Sequence, residues 1–280
     1  MVRSRLAQTG SSYHSNAAVS LSKVLPQPPL DEGVTVERTH LSPATSQLSH
    51  SVKAGRDCTK EQQVPIINPN EPYTFRKYFD LKIDPIDLAL YFEYDYRKQR
   101  LSLPQATVGF DAAQLTERIE RTLPQILSSN EQTKREMLVS PILRSILEHT
   151  AVQIRIEYPL KVTEQLQGVV DYLLSVHNLS QLVVIEAKNG DLDYGFTQLL
   201  AEMIALDQWE RSPTVTAQST LLGAVTTGSV WQFATLNRQT KQLVQGVNTY
   251  RVPEELDAVI GILLYPLTQP QTATKTGVAP

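Results

Sequence analysis

The spacing of apolar and polar residues separates a polar first quarter of the chain from a regularly patterned remainder. Residues 1–70 are rich in Ser, Thr, Gln, Pro and Asn, with only scattered apolar residues. Such a segment buries too little surface to offset its ordering entropy. We therefore predict a disordered N-terminal segment at 1–70, a small aromatic-rich arm at 71–108, a main domain at 109–268 and a flexible tail at 269–280.

Helical and strand patterns alternate through the main domain. Helical spacing of apolar residues predicts helices in "DAAQLTERIERTLPQIL", "NEQTKREMLVSPILRSILEHT" and "GFTQLLAEMIALDQWE", with Pro141 at a kink or a restart. Alternating or continuous apolar runs predict strands in "VQIRIEYPLKV", "GVVDYLLSV", "QLVVIEAKN", "TLLGAVTTG" and "VWQFATLNRQTKQLVQG". A last helix is predicted in "PEELDAVIGILLYPL", with Pro253 at its start. This order indicates an α/β fold with a central mixed β-sheet flanked by helices.

The arm at 71–108 is dense in tyrosine and phenylalanine. Within it, Asp84 is placed to cap a short helix that begins at Pro85, and "YRKQRLSLP" is typical of extended chain. The arm has two interpretations. Its aromatic residues either pack on the main domain or form a surface on which nucleic-acid bases stack.

Composition narrows the class of protein. The chain has 280 residues, 41% hydrophobic and 20% charged, with a net charge of −3, so no overall basic bias indicates a protein that coats DNA. Cys58 is the only cysteine, which excludes an intramolecular disulfide and a cysteine zinc site, and we interpret it as an inert thiol. The sequence has no long apolar run and no signal-peptide pattern, so we predict a cytoplasmic protein without membrane association.

Charged residues interrupt two of the predicted apolar strands. Glu186 and Lys188 end "VVIEAK" and share one face of a strand, since side chains alternate. Asp171 lies within "GVVDYLL", so pairing of the two strands would let Asp171 and Glu186 face one point. Two carboxylates and a main-chain carbonyl suit Mg²⁺ or Mn²⁺. A lysine beside them could position or deprotonate a water or stabilise a phosphate, and Gln198 on the next helix could support it.

Each of these residues also has a plainer interpretation. Glu186 and Lys188 could form a structural ion pair at the end of a strand, and Gln198 could be an exposed helical residue. Asp191 and Asp193 are interpreted first as loop and capping residues of a helix that begins near Tyr194, and only second as metal ligands. Asp171 and Gln198 accompany the Glu186–Lys188 pair, and a buried ion pair on its own contributes little to stability, so a functional site is the better interpretation.

Asp171, then Glu186-Ala187-Lys188, then a helical Gln198 resembles the PD-(D/E)xK nuclease superfamily, whose fold is the restriction-endonuclease-like α/β core. The resemblance covers about two fifths of the chain, from Asn130 to Asn237. Together with "GAVTTGSVWQFATL", the pattern is most similar to the N-terminal nuclease domain of type I restriction enzyme R subunits and to its stand-alone relatives. Val170 stands where the family often has proline, a residue that takes no part in the chemistry. No helicase motor follows the domain, so we expect a stand-alone relative rather than a type I enzyme.

The resemblance implies a Mg²⁺- or Mn²⁺-dependent endonuclease that hydrolyses phosphodiester bonds in nucleic acid, with DNA as the expected substrate. The implied metal ligands are Asp171, Glu186, the carbonyl of Ala187 and Glu131, with Glu136 as the reserve for Glu131. The implied catalytic residues are Asp171, Glu186, Lys188 and Gln198. Many members cut duplexes as dimers, so the resemblance also allows a homodimer. The alternative is a catalytically inactive nuclease-fold protein that binds nucleic acid or another protein.

Overall fold

A mixed β-sheet of eight strands forms the centre of the fold. The computed structural model describes residues 67–127, 130–176, 181–188, 190 and 192–268. The predicted tail at 269–280, Cys58 and most of the predicted disordered segment at 1–70 lie outside the described residues.

Seven helices, two helical turns and eight strands make up the described part. The helices are α1 Phe75–Asp80, α2 Pro85–Tyr91, α3 Ala113–Thr122, α4 Glu131–Lys134, α5 Ser140–His149, α6 Leu192–Gln208 and α7 Leu256–Thr268. A 3₁₀ turn spans Leu123–Gln125 and a π-helical turn spans Arg135–Val139. The strands are β1 Asp95–Gln99, β2 Gln153–Lys161, β3 Gln167–Val176, β4 Gln181–Ala187, β5 Thr220–Thr226, β6 Val230–Asn237, β7 Gln242–Gly246 and β8 Tyr250–Arg251.

The strand order confirms the predicted mixed sheet. It runs β1-β7-β6-β5-β4-β3-β2, and β8 adds a short pairing to β6. The pairs β4–β5 and β1–β7 are parallel, and the other neighbours are antiparallel. The parallel β4–β5 pair requires a crossover, which α6 supplies. The C-terminal end of β4 and the start of α6 therefore meet at one edge of the sheet.

Helices cover both faces of the sheet. One buried cluster joins α1, α2 and α6 to side chains such as Leu173 and Val225, and a second joins α3, α5 and α7 to side chains such as Tyr172 and Ile185. Helix α6 is buried on almost all sides, from Gly195 to Asp207. A helix that is buried on all sides is expected to be apolar all round, so a polar or charged residue within it needs a specific explanation.

The aromatic-rich arm contributes α1, α2 and β1 to this same structure. Asp84 caps α2 as the sequence predicts, since its Oδ1 accepts a hydrogen bond of 2.8 Å from the backbone N–H of Ile86. Four of the aromatic side chains, those of Tyr73, Phe75, Tyr78 and Tyr94, are buried. Packing therefore accounts for these four, whereas Phe79 and Tyr96 keep partly exposed positions.

Pro141 coincides with the predicted restart between two helices. It occupies one of the first two positions of α5, directly after the π-helical turn Arg135–Val139. Proline has no backbone N–H and is tolerated at this position, whereas in a helix interior it would break the ladder of hydrogen bonds. The wider turn lies between two α-helical segments and carries Arg135.

Three element boundaries differ from the prediction. The segment "VWQFATLNRQTKQLVQG", predicted as one strand, is the hairpin β6–β7. Asn237 makes the turn, because its Oδ1 accepts hydrogen bonds from the backbone N–H groups of Gln239 and Thr240 at 3.0 and 3.1 Å. Helix α7 begins at Leu256 rather than at Pro253, and α6 begins at Leu192 rather than near Tyr194.

A buried ion network fastens α6 to the β6–β7 hairpin. Asp207 receives Arg238 Nε on Oδ1 at 2.8 Å, and on Oδ2 it receives Lys241 Nζ and the Tyr94 hydroxyl, both at 2.6 Å. Burial would raise the pKa of Asp207, but hydrogen bonds from Lys241, Tyr94 and Arg238 hold it below the ordinary value. The network saturates the carboxylate, so we assign it a structural role.

Among the residues that the structure describes, no helix combines the length and apolar character needed to cross a bilayer.

Candidate functional site

Strand pairing brings Asp171 next to Glu186. Strands β3 and β4 are antiparallel with Tyr172 opposite Ile185, and one more step in this register sets Asp171 opposite Glu186. Tyr172 and Ile185 pack against α5 and α7, so the alternation of side chains turns Glu186 toward α6. Lys188, two residues later, shares that face.

Lys188 and Glu186 form a buried ion pair. Lys188 Nζ donates to Glu186 Oε1, and the two residues are 5% and 1% exposed. The Phe79 ring of α1 covers the lysine, with Nζ 4.9 Å from the ring centroid. On the other side lies Gly195 of α6, where a Cβ would come within 3.0 Å of Lys188 Cγ. Glycine at this position lets the helix approach the lysine closely.

Helix α6 adds a carboxylate that the sequence analysis missed. Glu202 is 0% exposed, and Gln198 Nε2 donates to its Oε1 at 3.0 Å. Gln198 itself is buried, so its interpretation as an exposed helical residue is wrong. Glu202 follows Gln198 by four residues in an otherwise apolar stretch, which places both side chains on one helix face. Its position in so apolar a helix is the feature of the sequence from which Glu202 could have been predicted as a site residue.

Several oxygens in this cluster lack a hydrogen-bond donor. Within the described residues, Glu186 Oε2, Glu202 Oε2 and Gln198 Oε1 are buried with no partner. A buried carboxylate oxygen without a donor is costly, so such atoms call for a proton or a cation. The carboxyl groups of Glu186 and Glu202 are close enough to share a hydrogen bond, which requires a proton on one of them.

The electrostatics of the cluster follow from burial and from the surplus of acids. Burial, together with the nearby charges of Glu202 and Asp171, raises the pKa of Glu186 well above its ordinary value, against the opposing effect of Lys188. Burial raises the pKa of Glu202 to about 8, although hydrogen bonds with Glu186 and Gln198 act in the opposite direction. Glu202 is therefore mainly protonated at neutral pH.

Lys188 keeps its charge despite being buried. Burial alone would lower its pKa, but the Glu186 carboxylate, helped by Glu202 and Glu131, raises it above the ordinary value. An ammonium held in this way is a fixed positive charge in a poorly solvated place, where its electrostatic effect is larger than in water.

Asp171 connects the cluster to the surface. Its side chain is 14% exposed, and Arg135 Nη1 lies 3.6 Å from its Oδ1. The same guanidinium reaches Glu157 Oε1 at 3.4 Å and the Tyr172 hydroxyl at 3.3 Å. Glu157 has a left-handed φ of 50° where β2 faces β3, and its side chain is exposed.

The remaining predicted ligands lie close to Lys188. Glu131 begins α4 behind the capping residue Asn130, whose Oδ1 accepts from Thr133 N at 2.7 Å, and its charge acts on Lys188. Ala187 ends β4, and the next backbone N–H, that of Lys188, donates to Thr226 O at 2.7 Å. Glu136, the reserve for Glu131, is exposed in the π-helical turn.

The described side chains do not form a ready-made metal centre: over the described ranges, no group of three or more His, Cys, Asp and Glu side chains is arranged to hold a metal ion. Two of the acids face basic partners instead, Asp171 with Arg135 and Glu186 with Lys188. A cation that binds here would therefore have to replace Arg135 and Lys188 as the partners of these two carboxylates.

Of the two aspartates after the motif, only Asp193 is described. It lies in the first turn of α6, is exposed, and pairs with Lys98 at 2.8 Å. Asp191 lies outside the described residues. His149 is exposed and stacks on Phe110 with ring centroids 4.3 Å apart.

The cluster can bind a proton or a cation between its carboxylates and can hold an ammonium beside them. The cluster contains three acids, Asp171, Glu186 and Glu202, and two bases, Lys188 and Arg135, so the acids are in excess.

The sequence matches no protein-family model, and no curated protein matches it significantly.

Proposed function

We propose that the protein is a Mg²⁺-dependent nuclease that hydrolyses phosphodiester bonds in nucleic acid, through a site of the PD-(D/E)xK type on a restriction-endonuclease-like core. One observation carries the proposal. Asp171, Glu186 and Lys188 come from two neighbouring strands to one buried cluster, in which two carboxylate oxygens have no partner among the described groups. A surplus of buried acids beside a lysine is hard to explain by stability alone.

The residues present fit a hard divalent cation. The ligands would be Asp171, Glu186, the main-chain carbonyl of Ala187 and Glu131, all of them oxygen donors. Glu186 Oε2, which no described group donates a hydrogen bond to, is an oxygen ligand of the required kind. A bound Mg²⁺ would supply an activated water and would neutralise charge that develops on the phosphate.

The side chains of the chain have separate roles in this proposal. The Lys188 ammonium donates a hydrogen bond to the scissile phosphate or to the attacking water, and its charge stabilises the transition state. Gln198 and protonated Glu202 orient the Glu186 carboxylate from α6. Arg135 neutralises Asp171 before substrate binds, and its guanidinium is suited to contact a phosphate.

A second candidate function has its own observation. Glu186 and Lys188 are almost fully buried and already paired, and Asp171 is paired with Arg135. Buried ion pairs of this kind are also what an inactive nuclease-fold protein would retain as structure, while it binds nucleic acid or protein elsewhere.

Metal-dependent cleavage separates the two candidates. We expect the full chain to cleave DNA or RNA, offered as single strands and as duplexes, in Mg²⁺ or Mn²⁺ but not in EDTA or in Ca²⁺ alone. Ca²⁺ serves as a binding control because it occupies oxygen sites with looser geometry. Folded protein that cleaves none of these substrates in any metal would reject the nuclease and leave the binding protein.

A further inference from the structure

A cleft of about 650 Å³ opens beside the candidate site and has no role in the proposed hydrolysis. It lies between the start of α2, the first turn of α6 and the paired strands β1 and β7. Its lining includes Lys82, Tyr96, Lys98, Tyr194 and Gln245. A cleft of this size takes a small molecule or one unit of a polymer.

Gln245 supplies an unused hydrogen-bonding group in this cleft. The residue is 1% exposed, and its Oε1 accepts from the Tyr96 hydroxyl at 2.6 Å. Its Nε2 has no partner in the described part of the chain. Lys98 is the register partner of Gln245, so both belong to one edge of the sheet. A buried amide donor in a cleft is satisfied when a ligand presents an acceptor.

Two tyrosines, two lysines and two aspartates, Asp84 and Asp193, also line the cleft. Tyr96 is half-buried, and burial, with the charges of Asp84 and Asp193, raises the pKa of its phenol to about 12, so it stays neutral. Lys82 Nζ lies 5.3 Å from the Tyr194 ring centroid and forms no ion pair with any described residue. Lys98 pairs with Asp193 at the exposed rim. A ligand with a planar part for the tyrosines and an anionic group for Lys82, the lysine that no described carboxylate pairs, fits this lining.

The cleft adjoins the candidate site through α6. Tyr194 lines the cleft, and the next residue, Gly195, packs closely against the Lys188 side chain. A polymer held in the cleft through one unit would therefore lie against the same end of α6 that packs on Lys188.

We propose that the cleft binds one unpaired nucleotide of a single-stranded nucleic acid, an inference that rests on the proposed function and specifies its substrate. The base lies against Tyr194 and Tyr96 and presents an acceptor atom to Gln245 Nε2, while Lys82 and Lys98 contact the flanking phosphates. A base that is stacked and paired inside a duplex cannot enter such a cleft, so the site selects unpaired strands or ends.

Fluorescence anisotropy with a short labelled single-stranded oligonucleotide, in EDTA to prevent cleavage, tests this proposal. We expect Tyr194→Leu to weaken binding about tenfold, as loss of one stacking partner does. The double variant Lys82→Gln/Lys98→Gln is expected to lower the slope of log affinity against log salt by about 1.4, for two phosphate contacts on a single strand. Both changes lie at partly or fully exposed positions, so the fold is not at risk.

Lys161→Gln is the matched control, because Lys161 also forms an exposed ion pair but lies on β2, the opposite edge strand. It should bind like the wild type. Gln245→Met removes the buried donor and should weaken binding of the single strand without affecting the weaker binding of a duplex of the same sequence. Unfolding curves for Gln245→Met identify any loss that comes from misfolding.

The outcomes separate the cleft from the nuclease. If the tyrosine and lysine variants keep the affinity and the salt slope of the wild type, the cleft proposal is rejected, even where the wild type cleaves. If they lose binding in a protein that cleaves nothing, the cleft stands and the nuclease is rejected. Equal binding of single strand and duplex by the wild type would also overturn the selection of unpaired nucleotides.

Discussion

The Lys188→Met variant is expected to cleave nucleic acid about 10³-fold more slowly than the wild type, the usual loss when one preorganised charge is removed from a transition state. Methionine keeps the bulk of the side chain against Phe79 and Gly195 but has no ammonium. Single-turnover rates with saturating Mg²⁺ measure the chemical step directly. An exposed-lysine variant, Lys161→Met on β2, should retain full activity.

The same variant should lose stability in a pH-dependent manner. Lys188 opposes the burial and the neighbouring charges that raise the pKa of Glu186, so without it that pKa rises further and folded Glu186 holds its proton more firmly. The unfolded chain releases that proton above the ordinary glutamate pKa. The folded state then binds more protons than the unfolded state, so the free energy of unfolding falls as pH rises above about 4.5.

A double variant separates charge balance from chemistry. Glu186→Gln/Lys188→Met removes both members of the ion pair and should recover most of the stability at neutral pH while it stays inactive. Urea denaturation at several pH values compares the free energy of unfolding of the wild type, Lys188→Met and the double variant. Cleavage by Lys188→Met at the wild-type rate would contradict the assigned role of the lysine, whatever its stability.

Arg238→Met is expected to lower the free energy of unfolding by about 3–5 kcal/mol, because it leaves one oxygen of a buried carboxylate and two backbone carbonyls without their donor. Arg238 donates to Asp207 Oδ1 at 2.8 Å and also to the backbone carbonyls of Pro213 and Gln218 at 2.6 and 3.1 Å. The side chains of Arg238 and Asp207 are 4% and 1% exposed, so water cannot replace the lost donors. Chemical denaturation at neutral pH gives the value.

Lys241→Gln is the matched control for that effect. Lys241 binds the other oxygen of the same carboxylate at 2.6 Å, but its side chain is 47% exposed. Its removal should cost about 1 kcal/mol or less, because a partly solvated pair contributes little. Equal losses in the two variants would show that burial does not govern this network.

Local chemistry predicted those parts of the fold that depend on adjacent residues. The Asp84-Pro85 start of α2, the proline restart at α5 and the strands that carry the acidic motif are all present. The β6–β7 hairpin was missed because its turn contains neither Gly nor Pro and is made by the side chain of Asn237. Turns of this kind give only a weak signal in sequence.

The candidate site could be predicted only in part, for a physical reason. Asp171, Glu186 and Lys188 have a spacing that strand alternation converts into a common face. Glu202 and Arg135 join them only through tertiary packing, since α6 lies across the sheet and the π-helical turn directs a guanidinium at Asp171. Gln245 and Tyr96 are 149 positions apart in sequence and become neighbours only when β1 pairs with β7.

The most direct test of the account compares Mg²⁺-dependent cleavage by Asp171→Asn and Glu157→Gln. Arg135 contacts both acids, at 3.6 and 3.4 Å, so each variant loses one ion pair with the same guanidinium. Only Asp171 belongs to the proposed metal site. The account predicts that Asp171→Asn loses about 10³-fold or more in rate, while Glu157→Gln stays near the wild-type rate. Equal activity of the two variants, or a wild type that cleaves as well in EDTA as in Mg²⁺, would contradict it.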